Sequence, residues 1–273
     1  RLGFRQVKGL REEDMQALLI GRSKPFTRIT ELMDVGVSLA AIERLADSDA
    51  FRSIGLDRRQ AIWEVSALSD RLTGMFTGQE QDNGHEQGIL LPQMSLSEHV
   101  IHDYSSTALS LKAHPVSFVR DKLSMLKVLP TADLANQKDG TSVKVAGLVL
   151  VRQRPGTAGG VCFITIEDET SVANLVVFES LFGKYRKEIL KSRLLMVEGK
   201  LQKEGEVIHV IVKKCHDLTA LLKGMVKFDN DPSVSTLSRA DKGDGSPFQG
   251  KNKKAQVRHA VQQEIFPTGR NFK

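Results

Sequence analysis

Phe163, Thr165 and Asn174 stand at alternate positions of two short apolar runs, residues 159–168 and 171–178. In an extended chain successive side chains point to opposite sides. Val161, Phe163 and Thr165 therefore share one side of the first run, and Cys162, Ile164 and Ile166 the other. With Cys162, Ile164 and Ile166 as the inner set, Phe163, Thr165 and Asn174 face out. An outward ring is a platform for a nucleobase, worth about 1–3 kcal/mol per stack, and a carboxamide can donate and accept at a base edge. Arg152 and Arg154 precede the loop PGTAGG at 155–160, from which a guanidinium can reach phosphate. Lys203 begins the loop between two later strands, and Lys213 lies near the end of the last one. The competing reading puts Phe163 in the core, since a slip of one residue exchanges the two sides of a strand.

A second binding candidate lies near the start of the chain, where Val7-Lys8-Gly9-Leu10 precedes a helical pattern. Glycine adopts backbone conformations that other residues avoid. The free N–H groups and positive end of the following helix can hold a phosphate, and Lys8 would add a point charge. Glu12, Glu13 and Asp14 follow at once; they suit the helix dipole but repel phosphate. An ordinary glycine turn is the plainer alternative.

Bond-making chemistry finds no comparable support. Glu167-Asp168-Glu169 falls at a predicted turn and reads as solvated turn acids rather than metal ligands. His209, Cys215 and His216 lack the spacing of a metal set, because Cys215 and His216 point opposite ways on one strand. No glycine-rich phosphate loop of the nucleotide-hydrolase kind occurs. The sequence thus assigns no catalytic residue and no metal ligand.

The elements that must position these residues read as five strands with one helix between the third and fourth. They run SVKVAGLVLVRQR, GGVCFITIED, SVANLVVF, the helix ESLFGKYRKEIL, SRLLMVEGKLQ and EVIHVIVKKC. That order is the signature of an OB-fold, whose second and third strands commonly hold single-stranded nucleic acid. The fold class is α plus all-β and multidomain. A helix-hairpin-helix region is expected over 1–72, with helices near 11–20, 30–33, 39–45 and 58–68; Ser38 and Asp57 stand at N-cap positions. A linker with short helices (97–104 and 115–123) is expected over 73–139, the OB-fold over 140–222, and a flexible tail over 223–273. Within that tail, 229–255 is polar enough to stay disordered by itself, and Ile265 and Phe266 form a possible docking segment.

The chain has 273 residues, a formal net charge of +6 and 40% hydrophobic residues, with a pI of about 9.3. The basic surplus fits a polyanionic partner without requiring one. The aromatic fraction of 5% points to weak, salt-sensitive binding rather than a tight clamp. The two cysteines, Cys162 and Cys215, sit in predicted strands and read as buried free thiols. No apolar run approaches a membrane span and no secretory leader is visible, so a cytoplasmic location is the default.

GFRQVKGL at 3–10, ADSDAFRSIGLDRRQAIW at 46–63, DYSSTALSLKAHPVSFVR at 103–120, VCFITIEDETSVANLVVF at 161–178 and GRNFK at 269–273 together resemble the carboxy-terminal third of the bacterial C-family DNA polymerases. The resemblance is strongest to their error-prone, ImuC-type branch, paralogous to the replicative DNA polymerase III alpha subunit. The stretch 143–178 is also similar to the anticodon-binding barrels of aminoacyl-tRNA synthetases. Replicative members usually carry glycine where Arg11 and Asp49 stand here.

The resemblance implies a bacterial parent enzyme, using Mg2+, that extends primers across damaged template. Its palm carboxylates would lie upstream of this region, leaving a non-catalytic DNA-binding region here. Hairpins would hold duplex and the barrel single-stranded template. A mutasome protein partner would engage the tail. Contact with a sliding clamp is disfavoured, because Ser97 replaces the expected Phe after Gln93-Met94-Ser95-Leu96. A stand-alone OB-fold adaptor for protein partners is the alternative from another functional class.

Overall fold

A computed structural model describes residues 2–71, 91–205, 207–225, 266 and 269–272. Residues 73–90 of the expected linker and most of the expected tail, Ile265 included, lie outside the described residues. The chain divides into two compact units, Arg1–Ser110 and Leu111–Lys273.

The first unit is helical: α1 (Glu12–Gly21), α2 (Thr30–Asp34), α3 (Leu39–Asp47), α4 (Arg58–Arg71) and α5 (Leu96–Thr107). In α3, Ala41, Ile42, Leu45 and Ala46 are buried, the stripe a 3.6-residue period produces. They pack with Leu18, Leu32, Phe51, Ala61 and Val65. Both expected caps form: Ser38 Oγ accepts from Ala41 N at 3.3 Å, and Asp57 Oδ1 accepts from Gln60 N at 2.9 Å. Asp49 adopts a left-handed conformation (φ 62°), which aspartate tolerates better than most residues.

The expected linker does not stand apart. Helix α5 closes this unit, held by a charge pair with no local sequence signature. Arg58, fully buried, pairs through Nη2 with Asp103 and donates from Nη1 to the His99 carbonyl at 2.9 Å. Residues 111–139 belong instead to the second unit.

That unit is the five-strand barrel. It comprises α6 (Arg120–Met125), β1 (Ser142–Gln153), β2 (Cys162–Glu167), β3 (Val172–Val177), α7 (Glu179–Lys184), α8 (Arg186–Lys191), β4 (Leu194–Glu204), β5 (Val207–Asp217), α9 (Thr219–Lys223) and β6 (Arg270–Phe272). The sheet order β2-β3-β5-β4-β1, with β2 also paired to β1, closes the barrel. The first half of β1 pairs with β4 and the second half with β2. Gly147 lies at this change of partner, where a Cβ would come within 2.5 Å of the Glu167 carbonyl oxygen; no side chain fits there. Strand β6 runs parallel to β1 along Val151, Arg152 and Gln153. Val145, Ile164, Ile166, Leu175, Leu195 and Val210 fill the core. Both cysteines are free and buried; burial raises the Cys162 thiol and pushes Cys215 to about 12.

Asp168, expected as a solvated turn acid, is 3% exposed and organises the β2–β3 turn. Its carboxylate accepts from Thr131 N (2.8 Å), Thr131 Oγ1 (2.7 Å), Thr170 N (2.8 Å) and Ser171 N (3.1 Å), and Arg120 pairs with it at 2.9 Å. Burial alone would raise this carboxyl; the hydrogen bonds from Thr170 and Thr131 overcome that and hold it at about 2. The folded-state value lies below the ordinary 3.8, so the group stabilises the unit above that pH and loses its contribution as pH falls through the folded value. The shift corresponds to roughly 2 kcal/mol. Asp168→Asn is therefore expected to be less stable than the parent near neutrality and to lose less stability between pH 4 and pH 2. Urea midpoints measured across that range check this; parallel curves for the two proteins would refute it.

Candidate nucleic-acid interface

The strand register sorts the barrel surface into rows. Val151, Thr165, Asn174 and His209 lie side by side across β1, β2, β3 and β5, and Gln153, Phe163, Val176 and Ile211 form the next row. Between these rows, pointing inward, run Arg152, Ile164, Leu175 and Val210. The alternation expected for residues 162–166 holds: Cys162, Ile164 and Ile166 are buried, and the Phe163 ring is 39% exposed. Thr165 is half-buried and Asn174 exposed. Thr165 Oγ1 donates to Asn174 Oδ1 at 3.1 Å, so the two act as one polar patch. That bond engages the carboxamide oxygen, and Asn174 is exposed to solvent. His209 completes the row with a buried Nδ1 that lacks a partner among the described residues. Aromatic, apolar and polar groups thus alternate over a solvent-facing sheet, a surface that can stack a flat ring and read its edge.

One end of this side of the barrel is already covered. Leu148, in register with Glu167, is buried, and His114 Nε2 lies 4.0 Å from the Glu167 carboxylate. Burial lowers the His114 imidazole, partly offset by Glu167.

Arg152 requires a correction. Expected at the surface beside the loop, it is 3% exposed. Its Nε donates to the Ile189 carbonyl at 2.6 Å and its Nη2 to the Ser192 carbonyl; burial lowers its pKa. The cause is an irregularity between Val149 and Val151. One extra residue there reverses the alternation, sending Val151 outward and Arg152 inward beside Ile164. The guanidinium fastens the end of α8 to the barrel and cannot meet a phosphate.

Arg154 stays near the surface but is engaged. It donates from Nε to Gly160 O at 3.1 Å, pairs with Glu179 at 3.3 Å, and lies 4.5 Å over the Phe182 ring. It clamps the loop at 155–160 to the start of α7. Lys203 is half-buried and donates its ammonium to Ala135 O at 2.7 Å. Lys213 is exposed and is the extra residue where β5 shifts register against β4.

In the first unit, Gly9 has the expected positive φ, 76°. A Cβ there would lie 2.1 Å from Arg44 Nη1, and Arg44 donates to Lys8 O at 3.2 Å. Lys8 itself is occupied: Nζ donates to Tyr104 O (3.1 Å) and Ser105 O (3.0 Å), satisfying the carbonyl end of α5. Asp14, which would repel phosphate, instead accepts from Ser38 N at 3.0 Å. Its carboxyl is lowered by hydrogen bonds from Ser38.

The sequence reading passed over several residues. Gly55 repeats the geometry of Gly9, with φ 87° and the same distance to the next helix: Gly9 precedes Glu12 of α1 as Gly55 precedes Arg58 of α4. The shared Gly-Leu pair at 9–10 and 55–56 was the available signal. Alternation along β5 would have placed His209 and Ile211 beside Asn174 and Val176. No group of three or more His, Cys, Asp or Glu is arranged to hold a metal among the described residues. Asp168 could not serve as a ligand without giving up the turn it organises. Among the described residues no helix is long and apolar enough to cross a membrane. Phe266, expected as a docking hook, is buried.

A family model of an OB-fold nucleic acid binding domain matches residues 143–218, and one of a helix-hairpin-helix motif matches residues 1–61. Error-prone DNA polymerase 1 of Rhizobium meliloti (strain 1021) is 43% identical over the whole chain and is covered over 26% of its own length. The error-prone DNA polymerase of Mesorhizobium japonicum is 46% identical over 81% of the chain and 20% of its own length. The chain thus spans about a quarter of the relatives it matches. The solved structure of asparaginyl-tRNA synthetase from Pyrococcus horikoshii aligns with 34% of this chain and 23% of its own, at 23% identity and a TM-score of 0.30.

Proposed function

This chain belongs with the error-prone DNA polymerases, and on that premise we propose that it is a DNA-holding region of such an enzyme. Its OB-fold and helix-hairpin-helix modules indicate nucleic-acid binding. In the finer reading, the barrel holds single-stranded template on the face of β1, β2, β3 and β5. Phe163 stacks a base, and Thr165 with Asn174 contacts a base edge. The hairpins at Gly9 and Gly55 approach duplex through their backbone N–H groups. The region positions DNA and makes no bonds.

The observation that carries this reading is the exposed Phe163 ring, set beside a polar pair on a barrel whose core is complete without it. An aromatic residue on the water side of a sheet has a stacking use that the fold does not require of it. Arg152 has no part in the proposed contact, and Lys8 and Lys203 contribute at most charge in the background.

The test is anisotropy titration of a labelled oligothymidylate with the 273-residue chain at increasing salt. The plot of log K against log salt is expected to be linear and to fall by about 0.7 for each phosphate neutralised. A primer–template substrate is expected to bind more tightly than either strand alone. Absence of binding at 50 mM salt would discard the reading and favour an adaptor for protein partners.

A further inference from the structure

The barrel carries more than its five strands. β6 lies against the edge of β1 in parallel register, with Arg270 opposite Val151 and Asn271 opposite Arg152. Residues matched across a parallel pair project to the same side of the sheet. Leu175 and Val210, paired across β3 and β5, are both buried and illustrate the rule. Val151 projects outward, in the row of Thr165, Asn174 and His209. Arg270 therefore extends that row, two strands from Thr165, or roughly 10 Å at the spacing of paired strands.

The approach is sterically defined. Gly269 has φ 69°, and a Cβ there would lie 2.7 Å from Val149 O and 2.8 Å from Arg152 Nη1. Only a glycine brings β6 this close, so the position of Arg270 depends on its neighbour. Arg270 is exposed, and among the described residues no carboxylate or carbonyl holds its guanidinium. Three of the cations expected to border this face are spent: Arg152 is buried on carbonyls, Arg154 pairs with Glu179, and Lys203 is tied to Ala135; Lys213 stays exposed at the register shift of β5. A stacking face for nucleic acid needs cations along the path of the backbone.

We propose that Arg270 is a phosphate-binding residue of the barrel's single-strand face, placed there by a sixth strand. The proposal rests on the reading of that face as a nucleic-acid site. It assigns β6 a function beyond covering an open sheet edge.

The experiment uses the whole chain and a labelled oligothymidylate, with Arg270→Ala, Arg270→Lys and Phe163→Ala compared across a salt series. Arg270→Ala is expected to weaken binding about tenfold at low salt and to reduce the log–log slope by about 0.7. Arg270→Lys is expected to keep the slope. Wild-type affinity and slope in Arg270→Ala, with binding lost in Phe163→Ala, would overturn the role of Arg270 and leave the face standing. Both variants binding as wild type would overturn the face itself. A weaker Arg270→Ala with unchanged slope and a lowered melting temperature would reduce β6 to a structural strand, against the proposal.

Discussion

Phe163→Ala is expected to weaken binding of an unstructured single-stranded oligonucleotide by roughly 5- to 150-fold, the equivalent of about 1–3 kcal/mol for one lost stack. The fold should tolerate the change. The ring is 39% exposed, and its neighbours in the row, Val176 and Ile211, are already half in water. The inner side chains Ile164 and Leu175 keep their packing. Phe163→Tyr is expected to preserve affinity, since the ring face remains. Phe163→Leu keeps apolar area but no π-face and should fall near the alanine variant. Anisotropy titrations at one low salt concentration, with melting curves to verify folding, separate these outcomes. Equal affinity for all four proteins would remove the ring from the site.

Arg58→Ala is expected to cost the helical unit about 3–5 kcal/mol, because it removes the fully buried guanidinium that pairs with the Asp103 carboxylate. Arg58 has no exposed surface and Asp103 has 8%. The hydrogen bond to Asp103 from Ser110 Oγ at 2.8 Å does not replace the guanidinium. The His99 carbonyl would also lose the Arg58 donor. Replacing both partners with apolar residues, Arg58→Met with Asp103→Leu, is expected to recover most of the loss, since the pair's desolvation cost disappears with it. The one tryptophan of the chain, Trp63, lies in α4 of this unit and reports its unfolding in urea. His102 offers a second readout. Burial lowers its imidazole to about 4, with the Arg58 charge adding to the effect, so its NMR titration should move upward in Arg58→Ala. An unchanged urea midpoint would show that the pair contributes nothing.

Much of the barrel was legible because its physics is local. Strand alternation at 162–166 and 173–177 follows from the pleat, and burial of one side fixes the phase. The caps at Ser38 and Asp57 likewise depend on a few neighbouring residues. What escaped depends on distant partners or on one inserted residue. The irregularity near Leu150 carries no signature, yet it reverses the side on which Arg152 falls. The buried Arg58–Asp103 pair joins residues 45 positions apart, and with it α5 joins the helical unit instead of a linker. Asp168 looked like a turn acid because its donor Thr131 and its ion-pair partner Arg120 come from an earlier segment of the same unit. β6 is three residues long, too short for any periodic pattern, so GRNFK drew attention only through resemblance. Of the candidate barrel residues, the uncharged three (Phe163, Thr165, Asn174) face outward as the alternation predicts. The charged half was mostly reassigned, since long cationic side chains find carbonyl and carboxylate partners that sequence does not display.

The two enclosed sulfurs have a practical consequence. Cys162 and Cys215 are shut in the core with weakly acidic thiols, and reaction with a maleimide or an activated disulfide requires an accessible thiolate. A cysteine installed at position 174 or 270 would then be the sole conjugation handle without prior removal of the native pair. Disulfide trapping with thiol-modified oligonucleotides could map, nucleotide by nucleotide, the path of a bound strand over the barrel.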